Sequence, residues 1–226
     1  MDKQLERLDN GNIVLTIDLP WIEVLAAYED VVNEQVAQAE IKGFRKGMAP
    51  RKLVEEKLDR NQTMSHAMEH LLPKKYQAAI DAHGLKPVIY PRIHIPKGNE
   101  GEDWQFVATL CEAPVVKLGP IVHLKDQKLA DIVEKLVKSS EIKLADMLIE
   151  AESDHRLAAL ADNLTKLGLT VDKYLQTKKL TTEELRARLA AEARRDLEVE
   201  FVLQQIQVEH KLADRQKTLD FLTSNI

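Results

Sequence analysis

The sequence predicts two parts: an α+β N-terminal domain, with a three-stranded antiparallel sheet packed with helices, followed by an all-α helical domain. Three observations predict it. Apolar residues alternate with period two over Ile13–Leu19, over 88–95 and over 104–111, the signature of strands with one buried face. Eight glycines and eight prolines in 226 residues, with aromatics at only 4%, favour long helices over a β-sandwich. From Asp126 onward there is no proline and one glycine, Gly168, so the second half reads as helix throughout.

The elements follow in order. Ile13, Leu15, Ile17 and Leu19 share one face of a strand that Pro20 stops. Trp21 to about Ile41 reads as a helix, with Val24, Ala27, Tyr28, Val31 and Val32 at three-four spacing. A glycine-containing loop spans Gly43 to Ala49. Pro50, with no amide hydrogen to lose, suits the first turn of a second helix lined inside by Leu53, Val54 and Leu58. A third helix is predicted from about Thr63 to His83, kinked or restarted at Pro73 and stopped by Gly84. Strands over 88–95 and 104–111 flank a polar hairpin loop with Gly98, Asn99 and Gly101. In the second half a helix is predicted from Glu141 to Leu167, ended by Gly168. Thr170 caps a short helix to Leu175. Thr181 and Glu184 form a capping box ahead of a helix reaching about Leu212.

Several functions are excluded or disfavoured. No run of 18 apolar residues exists, so no membrane partner is expected. The N-terminus lacks a signal-peptide core and the single cysteine, Cys111, has no partner, which points to the cytoplasm. The net charge of −5 argues against a globally basic nucleic-acid binder. His66 and His70 have the i, i+4 spacing of a two-histidine zinc site, but no third ligand is evident, and no metal or other cofactor is expected. Cys111 has no evident base and reads as a small buried hydrophobe. Lys178-Lys179 and Arg194-Arg195 read as solvated helix faces. No catalytic residue is predicted, and the chain is not expected to be an enzyme.

One segment stands against this background. Between Ile41 and Val54 lie Lys42, Arg45, Lys46, Arg51 and Lys52 with no acidic residue, a local charge of +5. Phe44 sits among them, between two predicted helices. An exposed ring beside cations suits docking: the ring fills a pocket, arginine makes forked contacts to carboxylate or phosphate, and lysine adds charge.

The run Gly43-Phe44-Arg45-Lys46-Gly47-Met48-Ala49-Pro50 resembles the signature loop of the trigger factor family. The segments Glu102-Asp103-Trp104 and Glu112 to Gly119 are similar to the end of that family's N-terminal domain. Leu157 to Leu203, above all 168–175 and 181–186, resembles its helical C-terminal domain. The resemblance implies a trigger-factor-like ribosome-binding domain over 1–113, a linker replacing the isomerase domain over 114–140, and a helical chaperone domain over 141–226. It implies an ATP-independent chaperone in which Gly43, Phe44, Arg45, Lys46 and Gly47 dock at the ribosomal exit tunnel, on a ribosomal protein and nearby RNA, while nascent polypeptides are shielded. The alternative is a ribosome-independent holdase of unfolded proteins, as a homodimer.

Three departures from the family pattern accompany this. Met48 stands where the family has a second lysine. Pro73 falls inside a helix the family leaves uninterrupted. The span between the two matched segments is too short for the peptidyl-prolyl isomerase domain the family usually carries there.

Overall fold

A computed structural model describes residues 4–120 and 128–224. The chain divides into two compact units, one of the residues up to Glu6 with Ile13–Leu110, the other of Arg7–Asn12 with the residues from Cys111 onward.

The first unit is built on a four-stranded antiparallel sheet, in the order β1-β2-β4-β3, rather than the three strands expected. The extra strand, β1 (Leu5–Arg7), is three residues long and two of them are charged, so it carries no readable alternation. β2 (Ile13–Leu19) pairs with β4 (Trp104–Leu110) in a register that sets Ile13, Leu15, Ile17 and Leu19 opposite Leu110, Ala108, Phe106 and Trp104. Both apolar sets therefore fall on one face, and Leu15, Leu19, Phe106, Ala108 and Leu110 are wholly buried. α1 (Trp21–Gln38) and α3 (Arg60–His83) close that face with Val24, Val31, Ala67, Met68 and Ile80. Pro20 offers no side-chain cap to α1. The carboxylate of Asp103, from the loop just ahead of β4, accepts from the Trp21 amide at 2.8 Å instead.

Two expectations are corrected in this unit and a third is narrowed. β3 is Arg92–Lys97, not 88–95: it begins just after Pro91, which has no amide hydrogen to give a ladder, and runs past Pro96, where its register with β4 shifts. α3 is one continuous helix through Pro73, so of the kink or restart expected there the restart does not occur, and Leu71 and Leu72 beside it pack on the core. α2 (Arg51–Glu55) is only five residues long, so it buries one side chain, Val54, and leaves Leu53 exposed.

The second unit is helical but not all-α. β5 (Val116–Lys117) and β6 (Glu141–Ile142) form a two-residue antiparallel pair, with Lys117 Nζ donating to Glu141 at 2.8 Å. Its helices are α4 (Leu129–Ser139), α5 (Asp146–Lys166), α6 (Val171–Lys178), α7 (Thr182–Glu209) and α8 (Arg215–Ser224). The helix expected from Glu141 thus begins at Asp146. Thr170 caps α6, and the Thr181–Glu184 capping box opens α7, both reading as the sequence predicts. α7 is the axis on which α4, α5 and α8 pack. One buried cluster of this unit is Val116, Leu136, Val202, Leu203, Ile206 and Leu222. Within 114–140, β5 and α4 are ordered structure, and 121–127 lie outside the described residues.

Candidate functional site

The segment between α1 and α2 is a loop of two consecutive tight turns. The Phe44 amide donates to the Ile41 carbonyl at 2.9 Å, and the Met48 amide donates to that of Arg45 at 2.9 Å. The third residue of each turn is a glycine with positive φ, Gly43 at 96° and Gly47 at 71°, the requirement of a type II turn. Gly47 faces a second restriction. A Cβ there would lie 2.6 Å from the Ala37 carbonyl oxygen, while its amide donates to Ala39 at 3.0 Å and closes the base of the loop.

Phe44, Arg45 and Lys46 form the tip between the two glycines. Phe44 is 44% exposed and Met48 is 71% exposed, whereas Ala49 is buried at the loop's return. Among the described residues, the Arg45 side chain has no ion pair or hydrogen bond, and Lys46 has one long contact, to exposed Glu40 at 3.7 Å. Arg51 differs. Its guanidinium pairs with Glu55 and with Glu29, and Nη1 donates to Asn33 Oδ1 at 3.0 Å. The hydrogen bonds to Glu55 and then Glu29 raise its pKa above the ordinary arginine value.

The remaining candidates disperse. His66 and His70 lie exposed on α3, and the described residues hold no cluster of three metal-ligating side chains. Cys111 is fully buried, and that burial pushes its thiol pKa up, the reverse of what a nucleophile needs. Lys178 and Arg194 are exposed on their helices, and Lys179 terminates α6 in a left-handed conformation.

One feature of the second unit escaped the sequence reading. A groove of about 850 Å³ runs between α4, α7 and α8, floored by Leu129, Val133, Val137, Val199, Leu203 and Leu219. Its rim is charged, with Glu134 paired to Lys138 at 2.9 Å and Arg156 paired to Asp196 at 2.9 Å. The signal was present: Leu129, Ile132, Val133, Leu136 and Val137 have the three-four spacing of an amphipathic helix.

The family model for the bacterial trigger factor protein matches residues 1–142, and the model for its C-terminus matches residues 123–220. The chain belongs to the trigger factor family. The two matched ranges overlap over 123–142, so the N- and C-terminal regions of a trigger factor follow one another without an intervening domain. A trigger factor of Halalkalibacterium halodurans is 33% identical over 67% of this chain and 36% of its own length. One from Natranaerobius thermophilus is 31% identical over 77% of this chain and 39% of its own. One from Staphylococcus aureus is 30% identical over 71% and 35%. The chain thus spans little more than a third of the trigger factors it matches. A solved structure of the trigger factor chaperone aligns at a TM-score of 0.40 and 21% identity, over 59% of this chain and 33% of that one. Among the described residues, no helix is long and apolar enough to cross a membrane.

Proposed function

We propose that this protein is an ATP-independent molecular chaperone that docks at the ribosomal exit tunnel and shields nascent polypeptides. The observation that carries the docking reading is the loop tip: an exposed ring and two cations with little engagement inside their own fold, presented by two glycine-dependent turns. Gly43, Phe44, Arg45, Lys46 and Gly47 form the contact, with the ring seated in a ribosomal protein and the cations on carboxylate or RNA phosphate. The domains are 1–113 for docking and 141–226 for clients, and 114–140, in place of an isomerase domain, adds α4 to the client surface. The protein works in the cytoplasm and catalyses no covalent step. Clients lie along the α4–α7–α8 groove, whose aliphatic floor makes non-directional contacts that suit many sequences and release quickly.

Co-sedimentation with ribosomes at low and moderate salt tests the docking. Wild type pellets, and the triple variant Phe44→Ala/Arg45→Ala/Lys46→Ala stays in the supernatant. Absence of wild-type pelleting at low salt removes the exit-tunnel role. A second reading, a ribosome-independent homodimeric holdase, is favoured by one observation. Met48 puts an exposed thioether where the family pattern has a lysine, which lowers the loop's charge and adds apolar surface.

A further inference from the structure

The five cations between Ile41 and Val54 are not equivalent. Lys42, Arg45 and Lys52 have no ion pair among the described residues, and Lys46 has only its long contact with Glu40. Arg51 is engaged on three sides, by Glu55 on its own helix and by Glu29 and Asn33 on α1. Glu29 and Asn33 are one turn apart on α1, so both face the same way and the planar guanidinium spans them.

We propose that Arg51 is a positioning residue for the Phe44-Arg45-Lys46 tip, and not part of its contact surface. This rests on the docking reading given above. The loop has two feet. The first is the close approach of Gly47 to the end of α1. The second is α2, which cannot hold itself: it is five residues long, lacks a side-chain cap at Pro50 and has no acidic residue in its first turn. Val54 supplies its one buried side chain, and the Arg51 fork supplies its polar tie to α1. Loss of that tie lets α2 swing and widens the range of positions the tip samples, which costs docking affinity through lost preorganisation.

The distinction makes opposite predictions for an acidic neighbour. Removing Glu29 makes the region more positive. A cationic patch that only attracts phosphate binds better after that change, whereas a loop that needs its clamp binds worse. Arg51→Lys separates the same possibilities, because it keeps the charge and loses the fork.

The experiment uses the full chain, with ribosome pelleting across a salt series and limited trypsin cleavage of the free protein after Arg45 and Lys46, for wild type, Arg51→Lys and Glu29→Ala. Both variants are expected to bind ribosomes about three- to fivefold more weakly, with the salt slope unchanged. Both are also expected to be cleaved faster at the tip. Tighter binding by Glu29→Ala overturns the proposal, and so does unchanged cleavage, whatever binding does. If wild type fails to pellet, the docking reading falls, and the cleavage rates alone still decide whether Arg51 orders the tip.

Discussion

The two units handle apolar surface differently. In the sheet unit, β2 and β4 present two matched rows on one flat face, and α1 and α3 seal it. Phe106, Leu15 and Leu19 retain no exposure, and apolar surface remains outside this core, at Phe44 and Met48 on the loop and along the short stretch from Pro87 to Pro91. In the helical unit, α4, α5 and α8 ride on one long helix, and the spaces between cylinders are not all filled. An aliphatic groove of about 850 Å³ remains open. A pleated face with period two lets opposing rows register residue by residue, whereas helices packed on one axis leave clefts unless another element caps them. The consequence is a division of recognition. A single ring among cations reads one site directionally, while a groove of leucine and valine accepts many partners weakly.

The comparison breaks most visibly if the sealed core is opened. Phe106 lies mid-strand in β4 opposite Ile17, fully buried. Phe106→Ala is expected to destabilise the sheet unit by about 3–5 kcal/mol, the transfer loss plus the cavity left behind. The readout is specific, because both tryptophans, Trp21 and Trp104, sit in this unit with ring centroids 6.1 Å apart. Urea unfolding followed by tryptophan fluorescence reports it directly, and an unmoved midpoint would mean the core is looser than its burial indicates.

The groove is expected to respond the other way, with a small cost in stability and a clear cost in client handling. Val133 and Leu219 are only half-buried on its floor. Val133→Ser or Leu219→Ser removes contact worth about 1 kcal/mol, so the ability to hold an unfolded client in solution falls roughly two- to fivefold. Suppression of aggregation of a chemically denatured test protein measures this, with far-UV circular dichroism to confirm that the helices persist. Wild-type suppression by both variants would place the client surface elsewhere.

What the sequence revealed follows the same division. Where one physical pattern dominates a segment, the reading holds. The alternation of 13–19 predicts β2 to the residue, and Gly43 and Gly47 lie at the positive φ their turns demand. Where two patterns compete, it fails. Residues 88–95 carry strand-like residues, but the ladder begins only after Pro91, so their first part stays outside it. α4 has a clear amphipathic spacing, yet it sits beside Pro114, Gly119 and Pro120, and those breakers made the whole span read as a connection. Arg51 is the sharpest case in the candidate site. By composition it is one more cation in a basic loop, and only the fold brings Glu29, twenty-two residues earlier, against it. Long-range pairing of this kind leaves no local spacing to find.

Helix ends supply the smallest and finest test. α3 and α5 are followed by Gly84 and Gly168 in the left-handed region, and the following leucine amides return to Ile80 and Leu164 at 3.0 and 2.9 Å. α6 and α7 close with the same pair of hydrogen bonds, Leu180 to Leu175 at 3.0 Å and Leu212 to Gln207 at 2.9 Å. Here the left-handed residues are lysines, Lys179 with φ 54° and Lys211 with φ 52°, so two stops in the helical unit had no glycine to announce them. A side chain in that region costs about 1–2 kcal/mol, and a glycine returns about 0.5–1 kcal/mol of this to the entropy of the unfolded chain. Lys179→Gly and Lys211→Gly are therefore each expected to stabilise the helical unit by about 0.5–1 kcal/mol, read as a raised thermal midpoint in circular dichroism at 222 nm. Destabilisation instead would show that the lysine side chains make compensating contacts with the last helical carbonyls, and the helical unit would then be better optimised at its ends than its open groove indicates.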